Sequence, residues 1–274
     1  MSISVDEERR FYDAQYEPFL ALPDDQLAVN REILLRTLHD PRQPVYERRR
    51  MYLAAFEKLV AMPLAQMQVL DYGCGPADWG VWLATEGARV TLLDVSPKAI
   101  QLGLKRAAAS GVAARVRGVA GDASDLSCFR DEEFDLVFAS AALHHTLKYP
   151  HALEELVRVI RPAGWLVLAE TYGNNPLLNA ARRLRAWWQN EPREQGEEIL
   201  FSQREVALLK LQFRSVSIHE FNLFAMSKRL FRGQFHHRSV QFLVALFERL
   251  DQVLLTAFPA ARRYCGELLL VAQK

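Results

Sequence analysis

From Met67 onward the apolar positions switch repeatedly between two periods. Short apolar runs near 67–71, 89–94, 114–119, 134–139 and 164–170 read as buried strands. Between them, stretches near 78–86, 97–109 and 150–160 carry apolar residues at helical spacing. Such alternation predicts a mostly parallel sheet wrapped by helices on both faces, a doubly wound Rossmann-like α/β fold. Sheets of this kind bind ligands at the carboxyl ends of their strands, near the point where strand order reverses. Upstream, the chain to about Pro63 reads as helical, with Phe11, Tyr12 and Tyr16 near its start and helical spacing again over 46–60. Downstream, 177–188 reads as a helix, 189–196 as a polar, exposed stretch, 203–211 as a helix and 213–221 as a strand.

Two strand ends carry acids. The strand ending at Asp71 runs into Tyr72-Gly-Cys-Gly-Pro-Ala77, where Gly73 and Gly75 permit a tight strand-to-helix turn whose backbone approaches a ligand closely. Asp94 ends the next strand roughly 20 residues on, the separation at which an acid reaches ribose hydroxyls. Together they describe a site for a nucleoside-type cofactor. A dinucleotide would lay its pyrophosphate on the helix N-terminus, and a carboxylate at Asp71 would repel it. S-adenosyl-L-methionine presents an ammonium, a carboxylate and a sulfonium instead, so an acid beside amide-rich backbone suits it.

Asp71-Tyr-Gly-Cys-Gly-Pro-Ala77 resembles motif I of the class I S-adenosylmethionine-dependent methyltransferases, and Leu92-Leu-Asp-Val-Ser-Pro-Lys-Ala-Ile100 resembles their second acidic loop. The family's third glycine is Ala77 here. Gly121-Asp-Ala-Ser124 falls where the family holds adenine, 134–145 resembles the fourth strand and its loop, and 153–170 the following helix, turn and strand, with Pro162-Ala-Gly164 for the usual Pro-Gly-Gly. The resemblance covers about 67–170 and is nearest in style to the ubiquinone and menaquinone methyltransferase branch. It implies cofactor contacts from Asp71, Gly73, Cys74, Gly75, Asp94, Val95, Asp122, Ala123 and Ser140. It also implies an antiparallel last strand, which 267–272 supplies after an unusually long connection. The expected organisation is a helical N-terminal lid region (1–63), a core (64–221), a helical insertion (222–262) and the last core strand (263–274).

With 34 basic against 33 acidic residues, the chain offers no global electrostatic case for DNA or RNA. Its 3 cysteines, Cys74, Cys128 and Cys265, are scattered, which argues against a disulfide framework or a metal site and fits a cytoplasmic setting. Residues 1–10 lack an apolar signal core, and no segment is long enough to span a bilayer, so no integral membrane association is expected.

Within the resemblance, His144 and His145 follow the fourth strand, where the family's loop borders the sulfonium. They are candidates for a general base, or else shape that loop. Tyr12 and Tyr16 would shield the sulfonium by cation–π contact or pack in the core. Tyr172 follows the fifth strand, where a loop touches substrate, although Gly173-Asn-Asn-Pro176 equally signals a turn. In the insertion, 239–258 carries a wide apolar surface, to be covered by the core, by a second subunit in a homodimer or by an apolar substrate. The basic, aromatic stretch 228–238, with His236 and His237, reads as a solvated flank, an anion grip or a membrane contact. The expected function is methyl transfer to an O, N or C atom of a small apolar or aromatic metabolite by in-line displacement. RNA or protein methylation, non-catalytic cofactor binding and nicotinamide-dependent redox chemistry are the alternatives.

Overall fold

The computed structural model describes residues 4–149, 151–188 and 200–274. Among these, seven strands form one sheet: β1 (Gln68–Tyr72), β2 (Arg89–Asp94), β3 (Val116–Ala120), β4 (Phe134–Ser140), β5 (Ile160–Thr171), β6 (Ser215–Phe221) and β7 (Glu267–Gln273). Their order is β3-β2-β1-β4-β5-β7-β6, with β1 to β5 parallel and β7 antiparallel to both β5 and β6. After β3 the chain crosses back to the far side of β1, so the order reverses between β1 and β4 and leaves a crevice at their carboxyl ends.

The helices are α1 (Val5–Tyr16), α2 (Asp24–Leu27), α3 (Arg31–His39), α4 (Arg49–Val60), α5 (Asp78–Thr85), α6 (Pro97–Ala109), α7 (Leu143–Thr146), α8 (Ala152–Arg158), α9 (Pro176–Trp188), α10 (Gln203–Gln212) and α11 (Arg238–Ala257). Local chemistry sets several starts. Ser4 and Glu7 form a capping box on α1, Ser202 and Glu205 another on α10, and Ser96 accepts from the Ala99 N–H with Pro97 in the first turn of α6.

Successive strand residues divide between the two faces of the sheet. Val69, Val167, Ala169, Leu269 and Val271 join one buried cluster, while Leu70, Leu166, Leu168, Leu268 and Leu270 join the other. Buried residues of α3, α4 and α5 cover the first face; those of α8 and α10 cover the second. The N-terminal region expected as one lid therefore divides by packing. Met51, Ala55, Phe56 and Leu59 of α4 sit in the core against the sheet, whereas α1 lies along α6.

β5 starts at Ile160, ahead of the expected 164, because the 161–164 turn is absorbed as a shift in register between Phe134 and Leu136. The expected polar stretch 189–196 lies outside the described residues. The connection before β7 is helical: a 3-10 segment (Phe224–Phe231), α11, and a second 3-10 segment (Pro259–Tyr264). Asp251, buried on α11, ties it down by accepting from the N–H groups of Leu223, Phe224 and Ala225. No helix among the described residues is long and apolar enough to cross a membrane.

Candidate active site

A cavity of about 310 Å³ opens over the β1–β4 crevice, the size range of small-ligand sites. One side is built from loops. Gly73 and Gly75 both have positive φ, and each also lacks room for a side chain. A Cβ on Gly73 would fall 2.4 Å from the Ala142 methyl, and one on Gly75 would sit 3.0 Å from the Tyr16 hydroxyl. The turn is tied to β2 by Asp94, whose Oδ2 accepts from the Gly75 N–H at 2.8 Å and whose Oδ1 accepts from the Ser96 N–H at 2.9 Å. An ionised carboxylate has about four lone-pair positions, so these two bonds leave capacity for ribose hydroxyls. Burial pushes the Asp94 carboxyl up to about 6, against the pull of those N–H groups.

Asp71 lies under the turn. Its Oδ2 is buried with no hydrogen-bonding partner among the described residues, and burial pushes its carboxyl up to about 7, the Gly80 backbone acting in the opposite sense. Gly80 is required here, since its Cβ would meet Asp71 Oδ2 and Leu92 Cδ2, each at 2.5 Å. An acid that is buried and underused at the cavity floor fits a cationic ligand group. Ala77, in place of the family's third glycine, adopts the left-handed conformation that glycine prefers, with φ 60°. Its methyl faces Gly103 on α6, whose own Cβ would lie 2.8 Å away.

Asp122, Ala123, Val95 and Ser140 complete this side. Asp122 holds its loop in a turn by accepting from the Ser124 N–H at 2.8 Å. The buried Tyr72 hydroxyl lies 2.7 Å from the Ala123 carbonyl oxygen and 2.8 Å from Thr146 Oγ1, joining the Asp122 loop to α7.

The facing side is made of side chains. Glu8, Tyr12 and Tyr16 project from α1, and Leu34, Leu38, Val45, Tyr52 and Trp79 add an apolar surface. The Tyr12 and Tyr16 rings stack at 6.1 Å. Helix α1 is held over the site by Asp13, which accepts from Ser96 Oγ at 2.5 Å and from the Lys98 N–H at 3.1 Å. Where the two sides meet, the Tyr12 hydroxyl lies 3.3 Å from His145 Nε2, and Glu8 Oε1 lies 3.4 Å from His145 Nδ1. Burial raises the Glu8 carboxyl above its ordinary range, with Lys148 at 3.5 Å opposing the rise.

The structure separates the two candidate histidines. His145 lines the cavity, whereas His144 points away, its Nδ1 2.8 Å from Glu170 Oε2. Glu170 Oε1 accepts from the N–H groups of Ala142 and Leu143, capping α7. Burial alone would raise the Glu170 carboxyl, but His144 and these N–H groups outweigh it and hold it below the usual range. Tyr172 is also away from the cavity, packed in the core of the second face, and its backbone bridges to Phe201. Glu8, Tyr72 and Glu170 were not singled out from the sequence. Glu8 had a signal, since it shares a four-residue spacing with Tyr12 and Tyr16 and so falls on their helix face. Among the described residues no cluster of His, Cys, Asp and Glu could hold a metal ion.

Residues 69–164 match the family described as a methyltransferase domain. The chain carries a class I methyltransferase domain. Over 108 residues, 39% of this chain and 42% of the relative, it is 35% identical to the demethylmenaquinone methyltransferase of Clavibacter sepedonicus. It thus spans less than half the length of that curated relative. Among solved structures, the YcgJ protein from Bacillus subtilis superposes with a TM-score of 0.58 at 17% identity, covering 81% of this chain and 98% of that one. The [4+2]-cyclase SpnF superposes at 0.54 with 19% identity, covering 86% and 84%. At these identities the likeness is one of fold.

Proposed function

We propose that this methyltransferase-domain protein moves the methyl group of S-adenosylmethionine to an O, N or C atom of a small apolar or aromatic metabolite. The observation that carries the reading is the two-sided cavity, with the cofactor-type loops and Asp71 on one side, an apolar and aromatic surface on the other, and Tyr12 and His145 where they meet. The matched relative from Clavibacter sepedonicus is named for methylating demethylmenaquinone, and an aromatic acceptor of that kind suits such a surface. When bound, the cofactor supplies a methyl group already activated by a sulfonium.

The chain's own residues then align and desolvate. Asp94 would hold the ribose, Asp122 and the Ala123 N–H the adenine, and Asp71 the field that favours a cationic group above it. Tyr16, closing over Gly75, and the apolar surface exclude water and fix the acceptor for in-line attack. His145 Nε2 takes the acceptor's proton directly or through the Tyr12 hydroxyl, while Glu8 orients the ring from Nδ1 and balances the charge it gains.

The test is transfer of labelled methyl from the cofactor into extracts separated into small-metabolite, RNA and protein fractions. Label is expected in the extractable metabolites; label mainly in RNA or protein overturns the reading. With the acceptor in hand, His145→Ala is expected to lower kcat by roughly 10²-fold or more, with cofactor affinity changed less than about twofold. Unchanged kcat removes His145 from the chemistry.

A further inference from the structure

Among the described residues, two helices carry exposed apolar faces. On α11, Val240, Val244, Asp251 and Leu255 are buried. Leu243, Leu246, Leu250 and Val253 recur at intervals of three and four on the outer side and are all exposed, with Phe242 beside them at 71%. On α9, Leu177, Leu184 and Trp187 likewise share one face and are 82%, 60% and 80% exposed. The two helices are linked. Asn175, just before α9, donates to the carbonyl oxygen of Tyr264, and Tyr264 closes the segment that follows α11.

Among the described residues of 176–188 and 222–264, the exposed charges have one sign. The acids of 222–264 are Glu248 and Asp251, and both are occupied inward, Glu248 by Arg49 at 2.7 Å and Asp251 by three backbone N–H groups. Arg238, Arg249 and Arg263 remain exposed, as do His236 and His237. Helix α9 has no acid and presents Arg183 to solvent. Pairing this surface with a second copy of itself would set arginines against arginines. An anionic lipid surface instead accepts both parts, with the leucines, Phe242 and Trp187 entering below the headgroups and the arginines meeting phosphates.

We propose that the outer faces of α11 and α9 form a peripheral docking surface for an anionic membrane. Docking does not depend on the identity of the acceptor, but its position bears on the proposed function. The docking helix is joined to the acceptor side of the cavity through Arg49–Glu248 and through the Tyr46 and Phe235 rings, 5.6 Å apart, with Val45 next to Tyr46 lining the cavity. The docking helix thus packs against the elements that wall the acceptor side of the cavity.

The test is co-sedimentation of the full chain with vesicles of phosphatidylcholine alone and of phosphatidylcholine mixed with phosphatidylglycerol. Binding is expected only to the mixed vesicles and should weaken with added salt. The pairs Leu246→Glu with Val253→Glu, and Arg238→Glu with Arg249→Glu, are each expected to lower vesicle affinity by about tenfold or more. Neither pair should alter circular dichroism or S-adenosylhomocysteine affinity, which shows that the variants fold. No binding to mixed vesicles overturns the proposal. So does vesicle binding that both pairs leave unchanged, or a dimer in analytical ultracentrifugation that Leu246→Glu dissolves while vesicles are ignored.

Discussion

The cofactor side and the acceptor side of the cavity are built from different parts of the chain. On the cofactor side the shape is set by main chain: glycines at positive φ, N–H groups of Gly75 and Ser96 on one carboxylate, and loops leaving adjacent parallel strands. On the acceptor side it is set by side chains of α1, α3 and α4 and by the packing that holds those helices down. Backbone geometry admits few residue types, so the first side leaves a signature in sequence. A side-chain surface admits many solutions, so the second side can vary with the acceptor.

The contrast predicts that acids on the two sides behave differently when removed. Glu170 is buried and serves three partners, so Glu170→Ala should cost about 3–5 kcal/mol of stability, as breaking a buried pair does. Glu8 is partly exposed and its ion pairs are long, so Glu8→Gln should cost less than about 1 kcal/mol and act instead on kcat through His145. Denaturant titration of both variants measures the difference, and equal losses would erase the distinction.

The next largest effect is on cofactor affinity. Asp94 joins the glycine turn to β2 and would also hold ribose, so Asp94→Ala should weaken S-adenosylhomocysteine binding by about 2–4 kcal/mol, since hydrogen bonds to a charged group contribute about 1.5–3 kcal/mol each. Calorimetry reads this directly. Tyr52→Ala, on the acceptor side, should leave cofactor affinity within about twofold, and a loss matching that of Asp94→Ala would show that the two sides are not separable.

These differences follow what could be read from the residues. The strand–helix alternation, the reversal of order and the Asp71–Asp94 spacing were legible because they depend on periodicity and on backbone conformation. His144 and His145 were not separable, because neighbours in a helix point about 100° apart and only the finished fold decides which faces the cavity. Glu8 carries only the signal of the four-residue spacing it shares with Tyr12 and Tyr16, because an acid in the first turn of a helix is favoured by the dipole wherever that helix packs. Glu170 could not be recognised as the cap of α7, because the pairing is created by the neighbouring positions of β4 and β5 rather than by any local pattern.

Protonation offers a gentler probe of the cofactor side. Asp71 and Asp94 are pushed up to about 7 and about 6 by burial, so between roughly pH 4 and 7 the folded protein holds protons that the unfolded chain has released. Without ligand, the contribution of these two acids to stability is fully present below the unfolded value and is lost as pH rises through that window. Asp71→Asn should flatten the dependence. A cationic ligand group reverses the preference by favouring the ionised acid, so S-adenosylmethionine affinity should rise with pH, by up to about tenfold per unit below 7. Calorimetry in buffers of different ionisation enthalpy should detect protons released on binding. An affinity constant from about pH 5 to 8 would remove Asp71 from the cationic end.

The smallest effects concern two alanines at positions where the family uses glycine. Ala77 and Ala163 have φ of 60° and 62°, a conformation that costs a residue with a Cβ roughly 1–2 kcal/mol relative to the right-handed region. Glycine avoids that strain but loses more entropy on folding. Ala163 is exposed, so Ala163→Gly should stabilise by about 0.5–1 kcal/mol. Ala77→Gly should gain less, because its methyl occupies the space left by the missing side chain of Gly103. In the parent chain Gly103→Ala would crowd both that methyl and Leu92 Cδ1. Its cost should therefore shrink by about 0.5–1 kcal/mol in the Ala77→Gly background, within the range that contacting residues show in double-mutant cycles. A coupling of that sign would mean that the glycine normally placed in the turn has, in this chain, its steric counterpart on the facing helix. Strict additivity would mean that Ala77 and Gly103 were settled independently, and that the cofactor side tolerates more variation than its backbone geometry implies.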